Sequence, residues 1–197
     1  MIETIGAKFI ESIEYAHMAT HVIPSDGVVK MRRTAKLMVC LSTTSNILSI
    51  EWLVQSSSQR RILDTEDFLL IGNNRDIEAE LRYKFSLADT IQNSLLAREN
   101  NGGVLGGWSV YICDGVAGNN FPGLKELRLI IEAAGGSVLQ ESLPNLHLDN
   151  IVLLTSDWTS VPDGMEGVKI CTPTDFLRVI TTQNPYEIGT CMFYTIR

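Results

Sequence analysis

Residues 46–53 read NILSIEWL, and residues 168–177 read VKICTPTDFL. In each stretch a short apolar run of strand type leads into a helical pattern whose first turn carries an aromatic residue, Trp52 or Phe176. A strand that runs directly into a helix is typical of α/β proteins. The two stretches therefore predict the same supersecondary unit twice in one chain.

The likeness of the two halves extends outward from these stretches. The further matching pairs are IGAKFIES (5–12) with AGGSVLQES (134–142), and HVIP (21–24) with VLLT (152–155). In the first of these pairs, a helix end marked by glycine runs into an extended segment. The offset between the halves is nearly constant, 129 residues at Gly6 and 124 residues at Trp52. The chain is therefore predicted to contain two copies of one α/β unit.

The two copies differ at two places. The second copy opens with a predicted strand, WSVYIC at 108–113, and a helix at about 123–134. The equivalent strand of the first copy would precede residue 1, so the first copy is expected to begin inside its first helix, at 1–5, and to lack its first strand. Between residues 156 and 167 the second copy has a short loop, whereas the first copy places a basic helix there.

These boundaries predict three regions. They are a first repeat at 1–72, an inter-repeat linker at 73–107, and a second repeat at 108–197. In the linker, Ser86 and Asp89 have the spacing of a capping box, which predicts the start of one helix. We expect that helix to pack between the repeats through a face formed by Leu87, Ile91 and Leu95.

Composition excludes several classes of protein. The formal net charge of −7 and the pI near 5.0 argue against a protein that coats nucleic acid, and no sequence-specific nucleic-acid contact is expected. The N-terminus has neither the basic nor the apolar region of a signal peptide. No apolar run approaches the roughly 20 residues that span a bilayer. We expect a soluble intracellular protein without a membrane partner.

No motif predicts catalysis, a metal or a cofactor. The four cysteines are scattered without a C-x-x-C pair, and the three histidines have no ligand partner at a suitable spacing. The GGVLGG run at 102–107 precedes a strand instead of following one, so it is predicted to be a turn and not a phosphate loop. The chain is therefore expected not to be an enzyme.

The most informative charged feature is a basic cluster of Lys30, Arg32, Arg33 and Lys36, within a stretch from residue 27 to 50 that contains no acid. It lies at the predicted start of a short helix, where the helix dipole and free N–H groups favour anions. Arg33 and Lys36 are three residues apart and are expected to share a helix face. The alternative is an ordinary solvated basic surface.

With this layout, the chain resembles the tandem BRCT repeat family, and the C-terminal pairs of DNA damage response proteins more than the single domains of ligases or polymerases. The residues that carry the resemblance are ATHVI (19–23), RTAK (33–36), ILSIEWL (47–53) and YKFSL (83–87). The resemblance implies a four-stranded parallel sheet of order 2-1-3-4, flanked by helices, in each repeat. It also implies that the repeats pack head to tail, and that the protein is a nuclear, non-enzymatic adaptor.

The same resemblance implies roles for individual residues. Lys36 would bind the phosphate of a phosphoserine peptide, and Arg33 would read the peptide main chain or a free C-terminal carboxylate. Met38, which also belongs to an apolar stripe, and Gln183 are possible groove-lining residues. The implied partner is a phosphorylated protein, such as a histone tail that ends close behind its phosphoserine.

The family's second phosphate ligand, a Ser/Thr-Gly pair after the first strand, has no counterpart in this sequence. Hydrogen bonds to charged groups are worth about 1.5–3 kcal/mol each, so losing two removes roughly 3–6 kcal/mol. A phosphate-independent interaction scaffold is therefore the alternative function. The chain is expected to be a fragment, to be completed in trans by an upstream segment, or to insert its tail CMFYTI (191–196) into the gap.

Overall fold

The structure is a computed structural model that describes residues 1–118, 121–139, 150–157, 160–161 and 168–190. Its helices and strands are α1 (Ala35–Thr43), α2 (Ile50–Gln59), α3 (Ile77–Tyr83), α4 (Leu87–Asn101), β1 (Ser109–Ile112), α5 (Leu124–Ala133), β2 (Ser137–Leu139), β3 (Ile151–Leu154), β4 (Lys169–Cys171), α6 (Pro173–Thr182) and α7 (Tyr186–Thr190). Short 3-10 helices include Glu3–Ile5 and Ile13–Met18. Among the described helices, none is long and apolar enough to cross a membrane.

The second unit contains a parallel sheet in the order β2-β1-β3-β4. This confirms the predicted strand order 2-1-3-4. Every residue of β3 is buried, as expected when helices cover both faces of a parallel sheet. Helix α5 begins after Gly123 and is followed by Gly135 at φ 86°, which confirms the helix predicted at 123–134.

The first unit keeps only part of this sheet. Val22 pairs in parallel with Ile47, as Leu153 pairs with Ile170 in the second unit. Its other pairing, between Leu48 and Leu69, is antiparallel. The four-stranded sheet implied for the first repeat is therefore not found among the described residues. The reason is that no described segment takes the place of β1, which in the second unit pairs with strands on both sides.

The two aromatic residues of the repeated stretch anchor the core. Trp52 and Phe176 are both buried. The indole Nε1 of Trp52 also donates a hydrogen bond to the carbonyl of Leu63 at 3.0 Å, so its polar atom is satisfied inside the core. The fold class, an α/β protein with a four-stranded parallel sheet flanked by helices, is confirmed.

The linker differs from the prediction because it contains two helices, α3 and α4, and not one. The N-cap is confirmed, since Ser86 Oγ accepts a hydrogen bond from the N–H of Asp89. The predicted packed face is wrong at Leu95, whose side chain is 41% exposed. Leu87 is buried as expected. In addition, small hydroxyl residues of α4 hydrogen-bond to the two units: Thr90 donates to Thr181 O at 2.9 Å, and Ser94 to Leu41 O at 2.7 Å.

A shared hydrophobic core joins the two units. Helix α1 of the first unit packs against α5 and α6 of the second, and α4 packs against α1 and α6. The core includes Met38 and Val39 from α1, Leu127 and Ile130 from α5, and Val179 and Ile180 from α6. The units therefore pack against each other as the prediction required, while the exact domain boundaries stay predictions.

Some predictions concern residues outside the described ranges. These are the inserted tail at 191–196, His147, Cys191 and most of the loop at 156–167. The other cysteines, Cys40, Cys113 and Cys171, are buried. Within the described residues, no group of three or more His, Cys, Asp or Glu side chains could hold a metal ion.

Gly103 is the position where the glycine-rich turn meets the end of α5. A Cβ added there would lie 2.2 Å from the carbonyl oxygen of Ala134, and its φ of 140° is accessible mainly to glycine. We expect Gly103→Ala to lower the free energy of unfolding by about 3 kcal/mol, because backbone strain and overpacking add. The measurement is urea denaturation followed by circular dichroism.

The control is Gly107→Ala, also at positive φ but with open space around the added methyl group. It is expected to cost only about 1 kcal/mol. Equal losses at the two positions would contradict the close approach at Gly103.

Candidate functional site

The basic cluster surrounds the first turn of α1. Thr34 is the N-cap: it has extended backbone angles, and its Oγ1 accepts a hydrogen bond from the N–H of Leu37 at 3.2 Å. The N–H groups of Ala35 and Lys36 belong to the helix end that has no intrahelical partners, and no acidic residue lies in this turn. The start of α1 therefore combines positive backbone dipole with basic side chains.

Lys36 is half-buried in the first turn of α1. Its Nζ donates hydrogen bonds to the carbonyl oxygens of Ile10 and Glu11, the second at 3.0 Å. The same nitrogen lies 5.1 Å from the centre of the Phe9 ring. Sequence reasoning missed these partners, because nothing in the spacing of residues 9–11 and 36 indicates that they meet.

Arg33 does not share a helix face with Lys36, and this part of the prediction is wrong. The helix begins at Ala35, because the side chain of Thr34 caps it, so Arg33 precedes the N-cap. Its main-chain N–H donates to the hydroxyl of Tyr83 at 3.3 Å, and its guanidinium carbon lies 5.1 Å from the centre of the Tyr83 ring. Burial lowers the pKa of Arg33 from its usual high range. Tyr83 is a further residue of this site.

The other two cations are more exposed. Lys30 forms an ion pair with Glu78 of α3 at 3.5 Å, and both side chains are more than half exposed. Such pairs contribute little stability. Arg32 is exposed.

Met38 and Gln183, the possible groove-lining residues, are each 1% exposed. Met38 lies in the core shared by the units, where the predicted apolar stripe would place it. Gln183 Nε2 donates to Ser42 Oγ at 2.9 Å, near the far end of α1. Ser42 is six residues from Lys36, about 9 Å along the helix axis. The structure thus separates Gln183 from the basic first turn.

Two further observations describe the surroundings of Lys36. Burial raises the pKa of the Cys40 thiol, and the charge of Lys36 partly opposes that rise. Two cavities of about 610 and 570 Å³ lie along α3, and neither Lys36 nor Arg33 lines them. The basic first turn therefore lies outside both of these cavities.

Comparison of the sequence with known proteins finds two kinds of relative. PAX-interacting protein 1 of Bos taurus is 30% identical over 156 residues, which are 75% of this chain and 14% of that protein. Mediator of DNA damage checkpoint protein 1 of Homo sapiens is 29% identical over 137 residues, 70% of this chain and 6% of that protein. The chain spans about one seventh or less of these relatives. No family model matches it.

Two solved structures have a fold similar to that of this chain. The BRCT5–BRCT6 domains of S. pombe Brc1 superpose with a TM-score of 0.66 at 17% identity, over 93% of this chain and 85% of that chain. Rtt107p, solved in complex with a phosphorylated histone, superposes with a TM-score of 0.57 at 16% identity, over 100% of this chain and 85% of that chain. These likenesses concern the fold.

Proposed function

Because this chain belongs to the tandem BRCT repeat family, we propose that it is a non-enzymatic adaptor. In this role it binds phosphoserine peptides in the nuclear DNA damage response. One kind of relative is named as a mediator of the DNA damage checkpoint, and one structural neighbour was solved with a phosphorylated histone. The proposed partner is a phosphorylated protein, a histone tail among the candidates. No cofactor is required, because recognition alone needs no chemical step.

The observation that carries this proposal is the set of donors at the first turn of α1. Lys36 supplies an ammonium group, and the N–H groups of Ala35 and Lys36 have no hydrogen-bond partner in the part of the chain that the structure describes. A phosphoserine carries a charge of about −2 and three acceptor oxygens. Charge-assisted bonds from these three donors would hold it, with the helix dipole in support.

Arg33 is proposed to read the peptide beyond the phosphoserine. Its guanidinium lies over the Tyr83 ring, a contact that would restrain the side chain while its N–H groups bond carbonyl or carboxylate oxygens. A ligand that ends close behind the phosphoserine would offer such a carboxylate. In this proposal Lys36 binds the phosphate, and Arg33 fixes the register of the peptide.

A second candidate function is phosphate-independent scaffolding. The observation that favours it is that Lys36 Nζ already bonds two carbonyl groups of its own chain. In that case the ammonium group stabilises the fold of the first unit, and partners bind elsewhere on the surface.

The two functions are separated by titration of the protein into a fluorescein-labelled phosphoserine peptide that ends three residues after the phosphoserine, and into its unphosphorylated twin. Fluorescence anisotropy measures both dissociation constants. Phosphoserine recognition predicts at least about tenfold tighter binding of the phosphorylated peptide, since one charge-assisted bond is worth at least about 1.4 kcal/mol. Equal affinities would contradict phosphoserine recognition and favour the scaffold alternative.

A further inference from the structure

Residues 8–11 (KFIE), here called the strap, cross the ammonium group of Lys36. The carbonyl groups of Ile10 and Glu11 accept its hydrogen bonds, and the ring of Phe9 lies against the same nitrogen at 5.1 Å. A lysine ammonium has three N–H donors. The strap therefore takes two of the three and covers a further side with an aromatic ring.

The strap has few other attachments. Lys8 and Glu11 are exposed, and the Phe9 side chain is 65% exposed. Across the described residues, the bonds from Lys36 are the only hydrogen bonds made by the main chain of residues 8–11. Segments with few buried contacts and few hydrogen bonds open at low cost in free energy. The strap is thus held closed mainly by Lys36.

The chain that follows the strap is firmly anchored. Ala16 in the 3-10 helix Ile13–Met18 is fully buried in the core shared by the two units, and its carbonyl accepts a hydrogen bond from Cys40 Sγ at 3.6 Å. Glu14 of the same helix forms an ion pair with Lys125 of α5. The strap can therefore leave Lys36 while the anchor helix stays in place.

The strap and a phosphate compete for the same group. The carbonyl oxygens of Ile10 and Glu11 carry partial negative charge, and the side chain of Glu11 carries a full one. A phosphate dianion within hydrogen-bond distance of Lys36 Nζ would meet these oxygens as like charges. Full contact between the phosphate and the ammonium group therefore requires that the strap move away.

We propose that the strap is an autoinhibitory contact: it occupies Lys36 in the free protein, and a phosphorylated ligand binds by displacing it. This inference rests on the proposed phosphoserine recognition. The apparent association constant for the ligand is the intrinsic association constant multiplied by the fraction of molecules with an open strap. Loosening the strap therefore tightens binding.

The test variant is Phe9→Ala, which removes the ring from Lys36. Its matched control is Tyr15→Ala, because Tyr15 is a similarly exposed aromatic residue, 58% accessible, on the anchor helix. The reactivity of Lys36 is measured without ligand, by limiting acetylation with acetic anhydride and mass spectrometry. Affinity is measured with the phosphoserine peptide and its twin. We expect Phe9→Ala to raise both the acetylation rate and the phosphopeptide affinity about two- to fivefold, and Tyr15→Ala to leave both unchanged.

Three outcomes would overturn the proposal that the strap is autoinhibitory. If wild type prefers the phosphorylated peptide but Phe9→Ala binds it no more tightly, the strap does not inhibit, and phosphoserine recognition stands. If Lys36 is acetylated at the same rate in Phe9→Ala and wild type, the ring does not shield it. If neither protein distinguishes the phosphorylated peptide from its twin, phosphoserine recognition fails, and autoinhibition fails with it.

Discussion

Replacing Phe176 with alanine is expected to lower the free energy of unfolding by about 3–5 kcal/mol, the usual range for removal of a buried aromatic side chain. Phe176 is 2% exposed and lies in α6, within the core that the two units share. The cavity would therefore weaken both the second unit and its contact with α1. Urea denaturation measures the loss.

Two controls accompany this variant. Phe176→Leu keeps most of the volume and is expected to cost less than about 1.5 kcal/mol. Tyr186→Ala removes an aromatic side chain that is exposed at the surface and should change stability by less than about 0.5 kcal/mol. A loss below about 1.5 kcal/mol for Phe176→Ala would contradict a shared core around this ring.

Replacing Lys36 with methionine is expected to reduce the preference for a phosphorylated over an unphosphorylated peptide by about 10- to 100-fold. The charge-assisted bond that is lost is worth about 1.5–3 kcal/mol. Methionine retains an unbranched apolar stem, so the packing of the half-buried side chain is largely kept. Anisotropy titration of the peptide pair gives the preference directly.

Lys30→Met is the matched control for this prediction, since it removes the same charge from the same cluster. Lys30 is exposed and paired with Glu78, so we expect its loss to change the preference by no more than about twofold. Equal effects of the two substitutions would mean that the cluster acts through its net charge, and that Lys36 has no specific role.

The α/β class and the internal repeat could be predicted because they depend on patterns of residues close together in the sequence. NILSIEWL and VKICTPTDFL each place a short apolar run before a helical pattern with an aromatic residue, within ten positions. The structure places both aromatic residues, Trp52 and Phe176, in the core. Strand order followed from the family resemblance, and the sheet of the second unit confirms it.

The contacts of the site could not be predicted, because they join residues far apart in sequence. Arg33 meets Tyr83, and Lys36 meets residues 9–11, with no motif linking them. The prediction that Arg33 and Lys36 share a helix face was wrong for a local reason. The side chain of Thr34 caps the helix, so the helix begins at Ala35 and Arg33 precedes it. The predicted face of α4 is wrong only at Leu95, since Leu87 is buried and Ile91 packs against the same cluster. The hydrogen bonds of Thr90 and Ser94 to the two units could not be read from an apolar pattern.

An NMR spectrum of the lysine ammonium groups decides whether Lys36 holds the phosphate. In ¹H–¹⁵N spectra of protein labelled at lysine Nζ, the Lys36 signal is identified by its loss in Lys36→Met. We predict that the phosphoserine peptide shifts this signal, because phosphate oxygens replace the carbonyls of Ile10 and Glu11, and that the unphosphorylated twin leaves it in place. Saturating binding of the phosphorylated peptide with the Lys36 signal unmoved would contradict the assignment.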